Sequence, residues 1–218
     1  MKFFFSLSLL FCSLLLSSQN KINLEDIKAN VTDSTSIYFY ERLVYRFNFN
    51  PTVIDEEEAK HLYYGKSFSN YKTSEISEGK FDFMNLVQNG KMKDAIVKGE
   101  ELIYKEPANL ELLGILSHAY SLADAENKRY ALRGLQFGKM IETILKNADT
   151  KKDEKTYTLT SVADQYVIAG ILKKDLSQFQ RSSKMTENGV YDVWENKKTK
   201  EKLTFYIINY FDRIMNND

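Results

Sequence analysis

Residues 89–124, NGKMKDAIVKGEELIYKEPANLELLGILSHAYSLAD, decide how this chain folds. Leu113, Leu116 and Tyr120 recur at i, i+3 and i+7, which lays one apolar stripe along a helix. Ala95 and Ser117 are small, so the two helices that carry them can approach closely. The stretch therefore predicts a helical hairpin, with the fold around it built on helix packing.

The spacing resembles that of the tetratricopeptide repeat. Gly90, Ala95 and Pro107 stand where that family has its inter-helix glycine, its small packing residue and its closing proline, and Leu113, Leu116, Ser117 and Tyr120 match the first helix of a following unit. Two positions depart from the pattern: Gly99 replaces a bulky aromatic, and Leu102 replaces a small residue. About one and a half units are credible, fewer than the three or so that a long solenoid groove needs. On this likeness the concave side of the 110–122 helix carries Glu111, His118 and Ser121.

Upstream, IYFYERLVYRF (37–47) and DEEEAKHLYYG (55–65) read as two short helices around the turn NFNPT. Asp55 and Glu58 form a capping box, in which each side chain satisfies the other's backbone N–H. Ala59, Leu62 and Tyr63 fall on one face, and Gly65 is expected to end the helix in the left-handed conformation that glycine adopts cheaply. Other chemistry in this stretch is weaker. Gly65-Lys66-Ser67 copies the tail of a P-loop, but Lys60 stands where the earlier glycine belongs. Glu58 and His61 make one Glu-x-x-His unit, whereas a di-metal bundle needs a second unit and two more glutamates. An acidic first turn that complements the helix dipole explains Glu58 more simply. Tyr63 and Tyr64 could stack on a sugar or peptide, but paired tyrosines at a helix end more often fill the edge of a core.

A longer helix is expected over 126–146, with Ala131, Gly134, Leu135, Gly138, Ile141 and Leu145 on its packed face and the two glycines admitting a neighbour. Beyond the charged loop DTKKDEK the period changes to two. TYTLTSV reads as a strand, SVADQYVIAGILKK as a short helix, and VYDVWE and KLTFYII as a hairpin with Trp194 on one face. A further strand near 177–183 completes a small antiparallel sheet, since a lone hairpin is marginal. The fold class is thus α+β: tetratricopeptide-like helical hairpins followed by a small antiparallel sheet. Its expected parts are a leader (1–18), a polar tether (19–36), a helical region (37–148) and a small α+β region packed on it (149–218).

The leader is read from Lys2 followed by FFFSLSLLFCSLLL and then SSQN, the order of a secretory signal peptide. The apolar run is shorter than the roughly 20 residues a spanning helix needs. The protein is therefore expected to be secreted or periplasmic, with no membrane span after cleavage near Ser17 or Ser18. Cys12 is the only cysteine, and Phe11 before it argues against a lipoprotein signal, where a small residue is usual. Cleavage would remove the chain's only thiol, and with it disulfide, thiolate-metal and cysteine-nucleophile chemistry. Asn30-Val31-Thr32 fits a glycosylation sequon, a tripeptide common enough by chance to carry no weight. Thirty basic residues balance thirty acidic ones, so the footprint of a nucleic-acid or anionic-membrane binder is absent.

The order of LYYG after an acidic capped helix, the repeat-like hairpin, YTLTSVADQY and the closing strand TFYII resembles a family of secreted bacterial proteins of unknown function. The likeness covers about 37–211. It implies architecture and export, with Arg46, Tyr63, Tyr64, Gly65, Asp164, Tyr166 and the hairpin aromatics as its recurrent positions, and it assigns no catalytic residue. Two functions fit. The first is a non-enzymatic module that binds a protein or peptide partner without cofactor or metal, with Tyr63, Tyr64, Glu111, His118 and Ser121 as candidate contacts. The second is a hydrolase or small-ligand or glycan binder with a site between helices and sheet, which would have to gather His61, His118, Glu58, Glu111 or Asp164 in one pocket. No G-x-S-x-G or H-E-x-x-H supports the second, and the adjacent Ser117 and His118 diverge on a helix and cannot pair as nucleophile and base.

Overall fold

A computed structural model describes residues 22–50, 52–69, 76–151 and 154–208; the expected leader lies outside them. The first described element corrects the expectation of a tether. Helix α1 (Leu24–Thr32) is capped by Asn23, whose side chain accepts the Asp26 N–H at 3.2 Å. Ile27 and Val31, four residues apart, bury its single apolar edge against α3. Leu24, Ile27 and Val31 recur at i, i+3 and i+7, so the stretch does carry a helical period; it spans one short helix among polar residues, which is why it reads as a tether.

Helices α2 (Tyr40–Phe49) and α3 (Glu56–Gly65) follow, and α3 carries the expected capping box, with Asp55 accepting from the Glu58 N–H at 2.8 Å and Glu58 from the Asp55 N–H at 3.0 Å. Gly65 plays a different part from the one expected. It stays inside α3, and its value is closeness: an added Cβ would lie 2.5 Å from Val31 Cγ1, so glycine is what lets α1 settle on α3. The glycine in the left-handed region is Gly90, with φ of 71°, at the turn between α4 (Ile76–Gln88) and α5 (Met92–Lys105).

Helices α4, α5, α6 (Leu110–Ala123) and α7 (Lys128–Lys146) pack each on the next. Ala95, Leu113, Leu116 and Tyr120 are buried, as the apolar stripe requires. At Gly99 the missing bulk is supplied from outside: Phe83 of α4 and Leu116 of α6 come within 2.9 and 2.8 Å of where a Cβ would be.

Helix α7 buries only part of the face expected: Ile141 is buried and Leu145 packs against the core, but the N-terminal part of that face is turned outward. Ala131, Leu135 and Gly138 are exposed, and nothing lies within 4 Å of a Cβ added at Gly134 or Gly138. The buried face is Arg133, Gln136, Met140, Ile141, Thr143 and Ile144. Its polar members are satisfied from within. Arg133 forks onto Glu100 of α5 (3.1 and 2.8 Å), donates to Gln136 (3.0 Å) and lies over the Phe47 ring, and Gln136 donates to the Phe47 carbonyl at 2.9 Å. Sequence reading assigns arginine and glutamine to the solvent side of a helix, and a bidentate buried partner reverses that assignment here.

Five strands form one sheet in the order β1-β2-β5-β4-β3: β1 (Asp149–Lys151), β2 (Glu154–Leu159), β3 (Phe179–Thr186), β4 (Gly189–Asn196) and β5 (Lys202–Ile208). Three pairings are antiparallel; β2 and β5 run parallel. The sheet is thus mainly antiparallel, as expected; its one parallel pairing arises because helix α8 (Ala163–Ile171) and the β3–β4 hairpin intervene between β2 and β5. Alternation gives the sheet two faces. Tyr157, Leu159, Leu203, Phe205, Ile207, Asp192 and Trp194 point inward and are buried; Thr156, Thr158, Thr204, Tyr206, Tyr191 and Val193 occupy the outer face.

Candidate functional site

The inner face of the sheet meets the helices through two polar knots. In the first, the Tyr63 hydroxyl donates to Asp164 at 2.7 Å, Thr160 donates to the same carboxylate at 3.3 Å, and the Tyr63 oxygen accepts the Thr160 N–H. Burial, and then the charge of Asp164, push the Tyr63 phenol well above its ordinary range. In the second, Asp192 accepts from Gln165, from Ser183 and from Arg181 at 2.6 Å, while Trp194 donates to Gln165 at 2.7 Å. Burial alone would raise the Asp192 carboxyl; the hydrogen bonds from Arg181, Ser183 and Gln165 outweigh it and hold the group below the usual aspartate value.

Tyr63 and Asp164 belong to the first knot, and Tyr64, Glu58 and His61 are likewise buried. Tyr63 and Tyr64 are 0% exposed, so neither meets a partner in this fold. Their rings pack edge to face at 4.8 Å, and the Tyr64 hydroxyl is buried without a partner. Glu58 is committed to the cap and to an ion pair with Arg46. His61 is buried under Tyr38, with the rings stacked at 4.1 Å and Nδ1 2.8 Å from the Glu57 carbonyl, and its Nε2 has no partner. Asp164 is sealed by Tyr63. Among the described residues no cluster of three or more His, Cys, Asp or Glu could hold a metal ion.

The α6 candidates divide differently. Glu111 is half-buried and ion-paired with Lys80 of α4. His118 and Ser121 are exposed, and the Ser121 hydroxyl is turned back onto the His118 carbonyl at 2.7 Å. His118 sits at the mouth of a groove of about 320 Å³ between α4 and α6, lined by Met84, Val87, Gln88, Gly114 and Ile115. The structure thus leaves Glu111 and His118 on the α4 side of α6 and separates both from His61 and Asp164.

A second, larger cleft of about 590 Å³ opens on the outer face of the sheet. Thr156 and Thr158 of β2, Tyr206 of β5 and Tyr191 of β4 line it, with Asn188 from the β3–β4 turn. Leu24, Glu25 and Lys28 of α1, Ser67 and Phe68 after α3, and Asn147 and Asp149 after α7 complete it. The rows are set by register: Thr158 pairs with Tyr206, and Tyr206 with Tyr191. Sequence alternation alone could have put each threonine and tyrosine on an outer face. The two pairings of β5, parallel with β2 and antiparallel with β4, bring them side by side.

An α+β chain with a helical layer and a five-stranded, mainly antiparallel sheet is the class of molecule these features define. The chain belongs to the family described as a domain of unknown function, DUF4919, whose model matches residues 25–216. The match begins within α1, which agrees with that helix being part of the folded unit. No protein with a curated description and no solved structure matches the chain.

Proposed function

We propose that this protein is an exported, non-enzymatic binding module that docks a segment of a partner protein in the groove between α4 and α6. The observation that carries the reading is the groove itself: an apolar floor of Met84, Val87 and Ile115, with the exposed His118 and Gln88 at the mouth and the Lys80–Glu111 pair alongside on the same two helices. Its volume is near the lower end of the roughly 300–1,000 Å³ of small-molecule pockets, a size that suits one or two apolar anchor side chains of a peptide. The tetratricopeptide-like spacing of residues 89–124 supports the same face, and the leader-like first residues support export. The hydrolase reading has less support: none of the three clefts that contain Thr158, Lys155 and His118 respectively is lined by two of His61, His118, Glu58, Glu111 and Asp164.

Selecting peptides from a displayed library against the purified protein tests the docking. The selected sequences should carry paired apolar residues, and both His118→Trp and Gln88→Trp, exposed substitutions that close the mouth, should weaken them by about tenfold or more with Tm unchanged. Peptides that bind these variants as well as they bind the unaltered protein would refute this groove as the docking site. For export, cell fractionation with the mature N-terminus read by mass spectrometry should find a chain beginning near residues 18–20; an intact Met1 in the cytoplasm would overturn it.

A further inference from the structure

We propose that the outer-face cleft binds a neutral oligosaccharide, independently of the α4–α6 groove. Three observations carry this. The rings of Tyr191 and Tyr206 lie 4.6 Å apart at 31°, a tilted stack in which each covers part of the other, so the aromatic face offered to the cleft is that of Tyr191, 38% exposed and backed by Tyr206. A pyranose offers such a surface the apolar C–H groups of one ring face, while its hydroxyls project around the rim.

The rim is the second observation. Thr156 and Thr158 on β2 and Asn188 and Asn147 at the ends of the cleft supply hydroxyl and amide groups able both to donate and to accept, which is what sugar hydroxyls require. The ionised groups of the lining are Glu25, Lys28 and Asp149, one lysine against two carboxylates. That balance offers no basic cradle for a phosphate or nucleotide and favours an uncharged ligand. At about 590 Å³ the cleft falls well within the range of small-ligand sites.

The third observation is that the platform is held in place. Tyr206, which backs Tyr191, has its ring against the start of β4. A Cβ on Gly189 would come 2.9 Å from that ring and 2.2 Å from the Ile207 carbonyl oxygen. A glycine is therefore required where the β3–β4 turn passes beneath Tyr206, and a backing ring fixed in this way leaves Tyr191 little freedom to lose when a ligand stacks on it.

The test is an amide-resolved NMR titration of the purified, isotopically labelled protein with maltotriose, cellotriose and chitotriose, and separately with inorganic phosphate and an apolar tripeptide. At least one trisaccharide should saturate with Kd between about 10 µM and 1 mM, shifting amides at Tyr191, Tyr206 and Thr158. Tyr191→Ala should weaken that binding about tenfold or more with Tm unchanged, Asn188→Ala should weaken it less, and His118→Trp should leave it alone. The proposal is overturned if no trisaccharide shifts these amides up to about 10 mM, if phosphate or the tripeptide shifts them instead, or if Tyr191→Ala binds as tightly as the unaltered protein.

Discussion

Tyr63 with Tyr64 and Tyr191 with Tyr206 are both tyrosine pairs with touching rings, at 4.8 and 4.6 Å between centroids, and the fold uses them in opposite ways. The first pair lies at the helix–sheet junction, fully buried, with one hydroxyl tied to Asp164 and the other enclosed. The second lies on the outer face of the sheet and lines a cleft. Residue type is the same in the two regions. The difference is which side of a five-stranded sheet each pair reaches, and it separates a structural knot from a surface that can meet a ligand. Interior polar atoms act by holding the chain together, so altering them should cost stability; outer-face atoms should cost little when altered.

The largest effect on this contrast is expected at Asp192. Asp192→Ala leaves Arg181, Gln165 and Ser183 without their shared acceptor, and urea denaturation should register a loss of about 3–5 kcal/mol. A loss below about 1 kcal/mol would mean the inner knot is not what joins α8 to the sheet. The same carboxylate sets an acid limit. Its folded pKa lies below its unfolded value of 3.8, so its contribution is complete above that value and disappears as pH falls through the lower folded one. Asp192→Asn should flatten this part of the stability profile below about pH 4.

Next in size is Tyr63→Phe, which removes a donor from the buried Asp164 and should cost about 1–3 kcal/mol by thermal or chemical denaturation. Its neighbour sharpens the comparison. The Tyr64 hydroxyl has no partner, so Tyr64→Phe sheds a buried polar atom that gains nothing in the fold; stability should stay level or rise by up to about 1 kcal/mol. A drop comparable to that of Tyr63→Phe would reveal a hydrogen bond at this position. Smallest of all, Tyr191→Ala on the outer face should move stability by no more than about 0.5 kcal/mol, and a Tm fall of many degrees would erase the distinction between the faces.

Much of the architecture was legible because it rests on local rules. The capping box at Asp55 and Glu58, the apolar stripe of Leu113, Leu116 and Tyr120, and the alternation in β2, β4 and β5 each depend on residues within a turn or two of one another. What failed to show depended on partners far along the chain. Arg133 is buried because Glu100 waits 33 residues away, so α7 turned a polar edge inward and left Leu135 outside. Gly65 is set by Val31, and α1 by the surface it lands on. Of the candidate contacts, His118 lines a groove between two helices, whereas Tyr63 and Tyr64 are consumed by Asp164 and the core. Tyr191 and Tyr206, two of the hairpin aromatics, were not legible as a pair lining a cleft, because strand alternation says that a side chain points outward without saying what stands beside it.

By itself the sequence determined the α+β class, the positions of most helices and strands, the balanced charge and the leader-like start, since these follow from composition and from periods of 3.6 and 2 within short windows. The tertiary structure alone decided which aromatic pairs face inward, which polar residues are buried, and where the clefts lie. Those outcomes are set by contacts such as β2 with β5 and Tyr63 with Asp164, whose members lie tens of residues apart, and no local pattern encodes a distance of that kind.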